Sequence, residues 1–418
     1  MVYFLKTQVW LKEKYLLLGL FFFDFGLRLF RLWEPAQAYF DEQAYYLPAA
    51  RGYLEGNPSL NLEHPPLAKL LLAFSIKLFG DNFFGWRFFG VLLASLSVVV
   101  LYLLTKEITR SRKVAFLASS LLIFDFGWFA LSRVGTIDIY LASFSFLGAY
   151  FVFRLWREGR VHHLAFAGLS LGAAFASKWS SVLIIFWLIL FLLVFWKKSL
   201  QIKMLSLFAI LGLIGAVYLA SYLPLIVKHG WEGFVETHFW MVQYHNNFVP
   251  SKTAEALSGL KGKFYPFPAW SWLLDPVFPF FGEVRDGTVR TILFFFNPLV
   301  LWGGFASLTY LIWEQRHKID PEKIFVIGAV FFLWAPWLAS PRYSLHYYLL
   351  PALPFLCFCF ALGIKKVWQR STSLAYSLVA VSLLLFVVYY PLISALKVPY
   401  FYSRIVSGIV EFKNVPGK

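Results

Sequence analysis

"GWRFFGVLLASLSVVVLYLLTKEITRSRK", residues 85–113, decides the fold. From Phe88 to Thr105 it carries no charged residue. A helix of that length rises about 27 Å, close to the roughly 30 Å of hydrocarbon in a bilayer. The run then ends in a basic cluster, "KEITRSRK". An apolar run of membrane-crossing length that stops at clustered Lys and Arg reads as a transmembrane helix with its cytoplasmic end marked.

The rest of the chain repeats this reading. Of its 418 residues, 60% are hydrophobic and 14% are charged, with 48 Phe and 17 Trp. No soluble core buries that much apolar surface, so the class is an all-α polytopic membrane protein. The net charge of +16 would suit a nucleic-acid binder, but the basic residues lie in short clusters between apolar runs. Cys357 and Cys359 sit inside one such run and form neither a disulfide framework nor a metal signature.

Eleven spans are expected, near 15–33, 84–105, 114–131, 138–153, 163–178, 180–196, 204–227, 291–313, 324–340, 346–364 and 372–392. The piece at 66–80 is too short to span comfortably and carries Lys69 and Lys77, which reads as an interfacial helix. The clusters "KTQVWLKEK", "KEITRSRK", "RLWREGR", "KKSLQIK", "EQRHKIDPEK" and "KKVWQR" hold half of the 38 Lys and Arg residues and fall on alternate loops. The positive-inside rule makes those loops cytoplasmic, and the N-terminus with them. Loops 34–83, 132–137, 228–290 and 341–345 then face outward, as does the tail after Tyr390. "AQA" at 36–38 imitates a signal-peptide cleavage site, but Asp24, Arg28, Arg31 and Glu34 interrupt the region before it. The whole chain, 1–418, is expected to be one membrane domain without a separate soluble one.

The two long outer loops, 34–83 and 228–290, have the length of functional loops. A transporter would show polar residues at the bilayer midplane and broken helices in matched halves. Here the acids deep in a span are Asp24 and Asp125, and Asp24 has Arg28 one turn on. The polar groups gather instead at the outer edge. "AYFDEQAYY" brings Asp41 and Glu42, and "LEHPPLAKL" brings Glu63, His64 and Lys69. Arg87, Arg133, Asp138 and Lys178 follow at span ends. "MVQYHNN" adds Gln243, Tyr244 and His245, and "SPRYSLHYYLLP" adds Arg342, His346 and Tyr347.

Several cations at one membrane boundary neutralise a phosphate and stabilise charge as it leaves. A carboxylate beside them deprotonates an incoming hydroxyl. Together they describe a site for a lipid-linked phosphate next to a general base. Each member also has a plainer reading. A lone Arg at a span end usually snorkels to headgroups, "HPP" alone is a turn, and an acidic pair alone is a solvated loop.

The sequence resembles the protein O-mannosyltransferases, within the GT-C class of membrane glycosyltransferases that use polyprenyl-phosphate sugars. The residues that carry the likeness are "FDE" at 40–42, "HPPLAK" at 64–69, "FFGWRFFGVL" at 83–92, "LSRVGTIDIYL" at 131–141 and "SKWSS" at 177–181. "QYH" at 243–245, "PAWSW" at 268–272, "NPLVLWG" at 297–303 and "LHYYLLPALPF" at 345–355 follow in the family's order. One departure is Asp275 in "WSWLLDP", where the family carries an Arg before the Pro. The chain also lacks the soluble domain that eukaryotic members insert in the large outer loop, which points to a bacterial or archaeal plasma membrane.

The resemblance implies an inverting single displacement. A hexose, mannose in this family, moves from polyprenyl phosphate to an acceptor hydroxyl, that of Ser or Thr in exported proteins. Asp41 would be the base, with Glu42 beside it. Lys69, Arg87, Arg133, Lys178, Arg342 and His346 would hold the donor phosphate. His64, Asp138, Gln243, Tyr244 and His245 would orient the acceptor or support the site. No cofactor is implied, although adjacent carboxylates near a His suit a divalent cation. No nucleic acid is expected as a partner. Two alternatives remain: transfer to a lipid or glycan, as in the aminoarabinose branch, and a flippase for a lipid-linked sugar.

Overall fold

The computed structural model describes residues 2–38, 42–247, 269–275, 277–340 and 344–407. Helix α1 (Val2–Leu29) leads through a turn to a short π-helical turn (Glu42–Tyr46), α2 (Leu47–Leu54) and α3 (Leu67–Phe79). Next come α4 (Phe83–Thr109), α5 (Arg112–Ile123), α6 (Phe126–Ser132), α7 (Asp138–Glu158) and α8 (Val161–Phe175). They are followed by α9 (Val182–Phe195), α10 (Leu200–Ser221) and α11 (Leu223–Asn247). Strands β1 (Phe278–Arg285) and β2 (Thr288–Phe294) precede α12 (Pro298–Glu314), α13 (Pro321–Trp334), α14 (Leu353–Trp368) and α15 (Thr372–Ile393). A two-residue β3 (Val398–Pro399) and α16 (Tyr400–Ser407) close the described chain.

Local sequence sets the boundaries. The Asn82 side chain accepts from the Phe84 and Gly85 amides and starts α4. Asp125 accepts from the Trp128 amide at 2.9 Å and caps α6. That cap turns α6 by 58° from α5 within what the sequence reads as one span. Asn297 caps α12, with Pro298 in its first turn.

Each of the eleven expected spans overlaps a helix, but the count is not reached on length and apolarity. Among the described residues six helices qualify, and the bent α5–α6 pair makes a seventh. α8 and the stretch Trp179–Phe195 are apolar but shorter. The short helix expected at 66–80 is α3. The span placed at 291–313 begins in a strand, because Asn297 and Pro298 fix the helix start. The chain is mostly helical, as expected, with one small sheet besides. β1, β2 and β3 form an antiparallel sheet in that order. Its hairpin turns on Asp286 and Gly287, both at positive φ, the Asp-Gly turn whose twist suits paired strands.

α7 packs on α4, α8 and α9, α8 packs on α10, and α14 packs on α5 and α12. β2 packs on α6 and α15. α10 and α15 are mostly uncovered, with exposed Leu205, Phe208, Leu384 and Val387, as lipid-facing helices are. Among the described residues three ion pairs lie in the interior: Asp24–Arg28, Glu42–Arg87 and Asp138–Lys178. The first is the i, i+4 pair expected within α1, and Arg28 also donates to the Trp128 carbonyl and to Ser132 Oγ.

Candidate active site

Glu42 opens the π-helical turn just after the first outer stretch, and its side chain is fully enclosed. Arg87, in the first turns of α4, grips it at two points: Nε to Oε1 at 3.0 Å and Nη2 to Oε2 at 3.1 Å. The Gly135 amide donates to Oε1 at 2.7 Å. Arg87 also donates to the carbonyls of Leu32, Pro35 and Gln37. A planar guanidinium with five donors suits this convergence. Glu42 and Arg87 therefore tie α4, the 32–37 turn and the 134–137 loop into one block. Gly135 allows the approach, since a Cβ there would stand 3.3 Å from Glu42 Cγ.

Two more of the expected phosphate ligands bond to backbone. Arg133 donates to the carbonyls of Phe30 and Arg31 at 2.8 and 3.0 Å and lies over the Phe129 ring. Lys69 donates to the His64 carbonyl at 2.7 Å and to the Asn61 carbonyl. It thereby folds the "HPPLAK" loop back onto α3. Burial lowers the Lys69 amine to about 7, with the Glu63 carboxylate opposing.

Lys178 is placed differently. Asp138, at the N-terminus of α7, holds Lys178 Nζ at 2.7 Å from Oδ1. The ammonium lies 4.4 Å from the centre of the Tyr348 ring, a cation–π contact. Lys178 is also part of the wall of a cavity of about 320 Å³, with Trp179, His64, His245, Trp337 and Tyr348. The rings of His64 and His245 lie 5.7 Å apart, and His245 Nε2 donates to the Glu63 carbonyl at 2.9 Å. A buried-edge cation, two imidazoles and aromatic walls in one cavity can receive a sugar and an attached anion.

The remaining expected residues scatter. Asp41 and Arg342 lie outside the described residues. His346 is enclosed by Phe294 and Phe296, with ring centroids 4.7 and 6.1 Å away, and does not line the cavity. Gln243 is exposed, and Tyr244 stacks on Trp240. Asp275 is bound to backbone, accepting from the Phe296 amide at 2.9 Å, and burial pushes its carboxyl well above the usual carboxylate range.

Sequence reasoning missed Trp179, Trp337 and Tyr348 as cavity walls. It also missed the support behind Trp179. The Trp179 indole donates to Tyr218 Oη at 2.9 Å, and Tyr218 Oη lies 2.8 Å from His238 Nε2. "SKWSS" contains the tryptophan, but nothing in the sequence pairs it with Tyr218 on α10.

Residues 63–222 match the family described as dolichyl-phosphate-mannose-protein mannosyltransferase. The polyprenol-phosphate-mannose–protein mannosyltransferase of Mycobacterium tuberculosis is 28% identical over 400 residues, covering 79% of this chain and 76% of that protein. This chain is a membrane glycosyltransferase similar to the protein O-mannosyltransferases. Its fold agrees. The donor-bound Pmt1–Pmt2 complex of S. cerevisiae superposes with a TM-score of 0.78 at 14% identity, over 96% of this chain and 92% of that one. ArnT from Cupriavidus metallidurans, solved with undecaprenyl phosphate, gives 0.62 at 14% identity, over 96% and 66%. The family match spans the "HPPLAK", "FFGWRFFGVL", "LSRVGTIDIYL" and "SKWSS" segments, which place Lys69, Arg87, Asp138 and Lys178. Two of the three interior ion pairs, Glu42–Arg87 and Asp138–Lys178, have at least one member in those segments.

Proposed function

We propose that this glycosyltransferase moves mannose from a polyprenyl-phosphate carrier to Ser or Thr hydroxyls of exported proteins. The acceptor oxygen attacks the anomeric carbon from the face opposite the phosphate. Its proton passes to Asp41, the C–O bond to phosphate breaks with its electrons, and the configuration inverts. The products are the O-mannosyl protein and polyprenyl phosphate. A phosphate leaving group needs little protonation, so one base suffices.

The observation that carries this reading is Lys178, fixed by Asp138 and Tyr348 in the wall of the cavity it shares with His64 and His245. A held cation meets developing phosphate charge without reorganising. The Glu42–Arg87–Gly135 block anchors Glu42, the residue that follows Asp41 in the sequence. In this reading Arg87, Arg133 and Lys69 hold the outer loops, and Lys178 serves the phosphate. The site faces outward across a bacterial or archaeal plasma membrane, with the N-terminus cytoplasmic.

No cofactor is assigned. Transfer that survives EDTA is the expected result, and loss of transfer that Mg²⁺ or Mn²⁺ restores would add a divalent cation to the mechanism. The deciding experiment uses membranes supplied with polyprenyl-phosphate mannose. Asp41→Asn is expected to insert normally and lose about 10²-fold or more of transfer, the scale of a lost general base. Near-normal transfer by that variant would remove the assignment. Transfer in detergent separates an enzyme from a flippase, which has nothing to move there.

A further inference from the structure

A second cavity, of about 370 Å³, shares no lining residue with the one at Lys178. Its walls come from the end of the α1 turn (Arg31, Glu34), the β hairpin (Glu283, Arg285, Thr288, Arg290) and Lys397 before β3. Four cations face two carboxylates there, an excess of two positive charges.

Those carboxylates are already engaged. Glu34 pairs with Arg290 and stands 3.8 Å from Arg31, and Glu283 stands 3.8 Å from Arg290. Arg285 has Asp286 at 3.5 Å, but both side chains are largely exposed, and such a pair holds little energy. Lys397 is exposed. Arg31 Nε is buried and makes no hydrogen bond. The Arg31 side chain as a whole is one-third exposed and lines the cleft, where an anion can meet its charge.

The surroundings say what carries that anion. Phe30 and Trp33 flank Arg31 and are exposed, as are Phe401 and Ile405 on α16, just beyond β3. Exposed aromatic and aliphatic side chains beside clustered cations mark a membrane boundary. The ligand therefore has an anionic head and an apolar chain. A phosphate monoester carries about two negative charges near neutral pH, which matches the excess of two. A phosphodiester carries one.

We propose that this cleft binds the phosphate monoester headgroup of a membrane lipid. The spent polyprenyl phosphate has such a headgroup, and so does a phosphatidate of the bilayer. Choosing the spent carrier rests on the mannosyl-transfer reading above, whereas the headgroup site itself does not.

The test uses purified full-length protein in detergent, a farnesyl phosphate bearing a photoreactive diazirine on its chain, and mass-spectrometric mapping of adducts. Adducts are expected in the peptides holding residues 30–34 and 398–405. The double variant Arg285→Gln, Lys397→Gln should weaken this labelling at least about tenfold, since each substitution removes a charged donor. Both side chains are exposed, so the fold is expected to stand. Excess farnesyl phosphate should displace the label, whereas farnesol and phosphatidylglycerol should not. Displacement by dioleoyl phosphatidate as well identifies a general phosphomonoester site, and its failure identifies the carrier.

Adducts confined to the Lys178 cavity would overturn the proposal. So would labelling unchanged in the double variant, or competition by phosphatidylglycerol or millimolar inorganic phosphate as strong as by farnesyl phosphate. Labelling needs no turnover, so failure of the transfer assignment would leave this result standing, and the reverse also holds.

Discussion

Arg87 and Glu42 meet at two points, 3.0 and 3.1 Å, with neither side chain exposed to solvent. Removing one partner of such a pair leaves a buried charge uncompensated, which costs about 3–5 kcal/mol. Arg87→Ala is therefore expected to lower the thermal midpoint and abolish most transfer. Arg87→Lys should rescue little, because an ammonium cannot reproduce the two-point grip. Thermal unfolding in detergent, run beside donor kinetics, checks this. A variant with the wild-type midpoint and only a raised donor KM would return Arg87 to the phosphate.

Gly135 gives a finer probe of the same block. A methyl group there meets Glu42 Cγ at 3.3 Å and Oε1 at 3.4 Å, tighter than ordinary contact. Gly135→Ala should push the carboxylate off the Gly135 amide while leaving every charge in place. The expected outcome is a kcat reduced about tenfold, as for losing one charge-assisted hydrogen bond, with a small change in donor KM. An unchanged kcat would show that the amide contact is not needed.

Much of this architecture is legible in the sequence because lipid imposes long apolar helices with marked ends. Asp24–Arg28 could be read from its i, i+4 spacing. The Arg residues could be located but not assigned. Snorkelling, phosphate binding and internal bracing all ask for an Arg at a span end, and only the fold shows Arg133 donating to the Phe30 and Arg31 carbonyls. The β hairpin had a signal, Asp286-Gly287 between Val-containing runs, hidden by its fusion to the apolar stretch that becomes α12. The Trp179–Tyr218 contact had none, since 39 residues separate the partners.

Lys69 should give the enzyme a stability that rises with pH. Its amine lies at about 7 in the folded protein, lowered by burial, against roughly 10.4 in an unfolded chain. Between those values the unfolded state binds more protons, so stability increases with pH across that window. Below about 7 both states are charged and the burial cost stands in full. Lys69→Met should flatten the slope between pH 7 and 10. Thermal midpoints over that range decide it, and a slope identical to wild type would remove Lys69 as its source.

Behind Trp179 stands a chain of hydrogen bonds through Tyr218 to His238. His238 Nδ1 donates to the Phe234 carbonyl at 2.7 Å, which leaves Nε2 to accept from the Tyr218 hydroxyl at 2.8 Å. The same hydroxyl oxygen accepts from the Trp179 indole at 2.9 Å. Burial lowers the His238 imidazole below its ordinary range, so the neutral ring this chain of bonds needs persists at neutral pH. Tyr218→Phe deletes the shared hydroxyl and frees the indole to turn within the cavity wall. About 1 kcal/mol of stability should be lost with the hydrogen bonds. Substrate KM should rise several-fold with kcat nearly unchanged, because the wall binds ground state and transition state alike. A fall in thermal midpoint with KM untouched would mean that these bonds serve the fold alone.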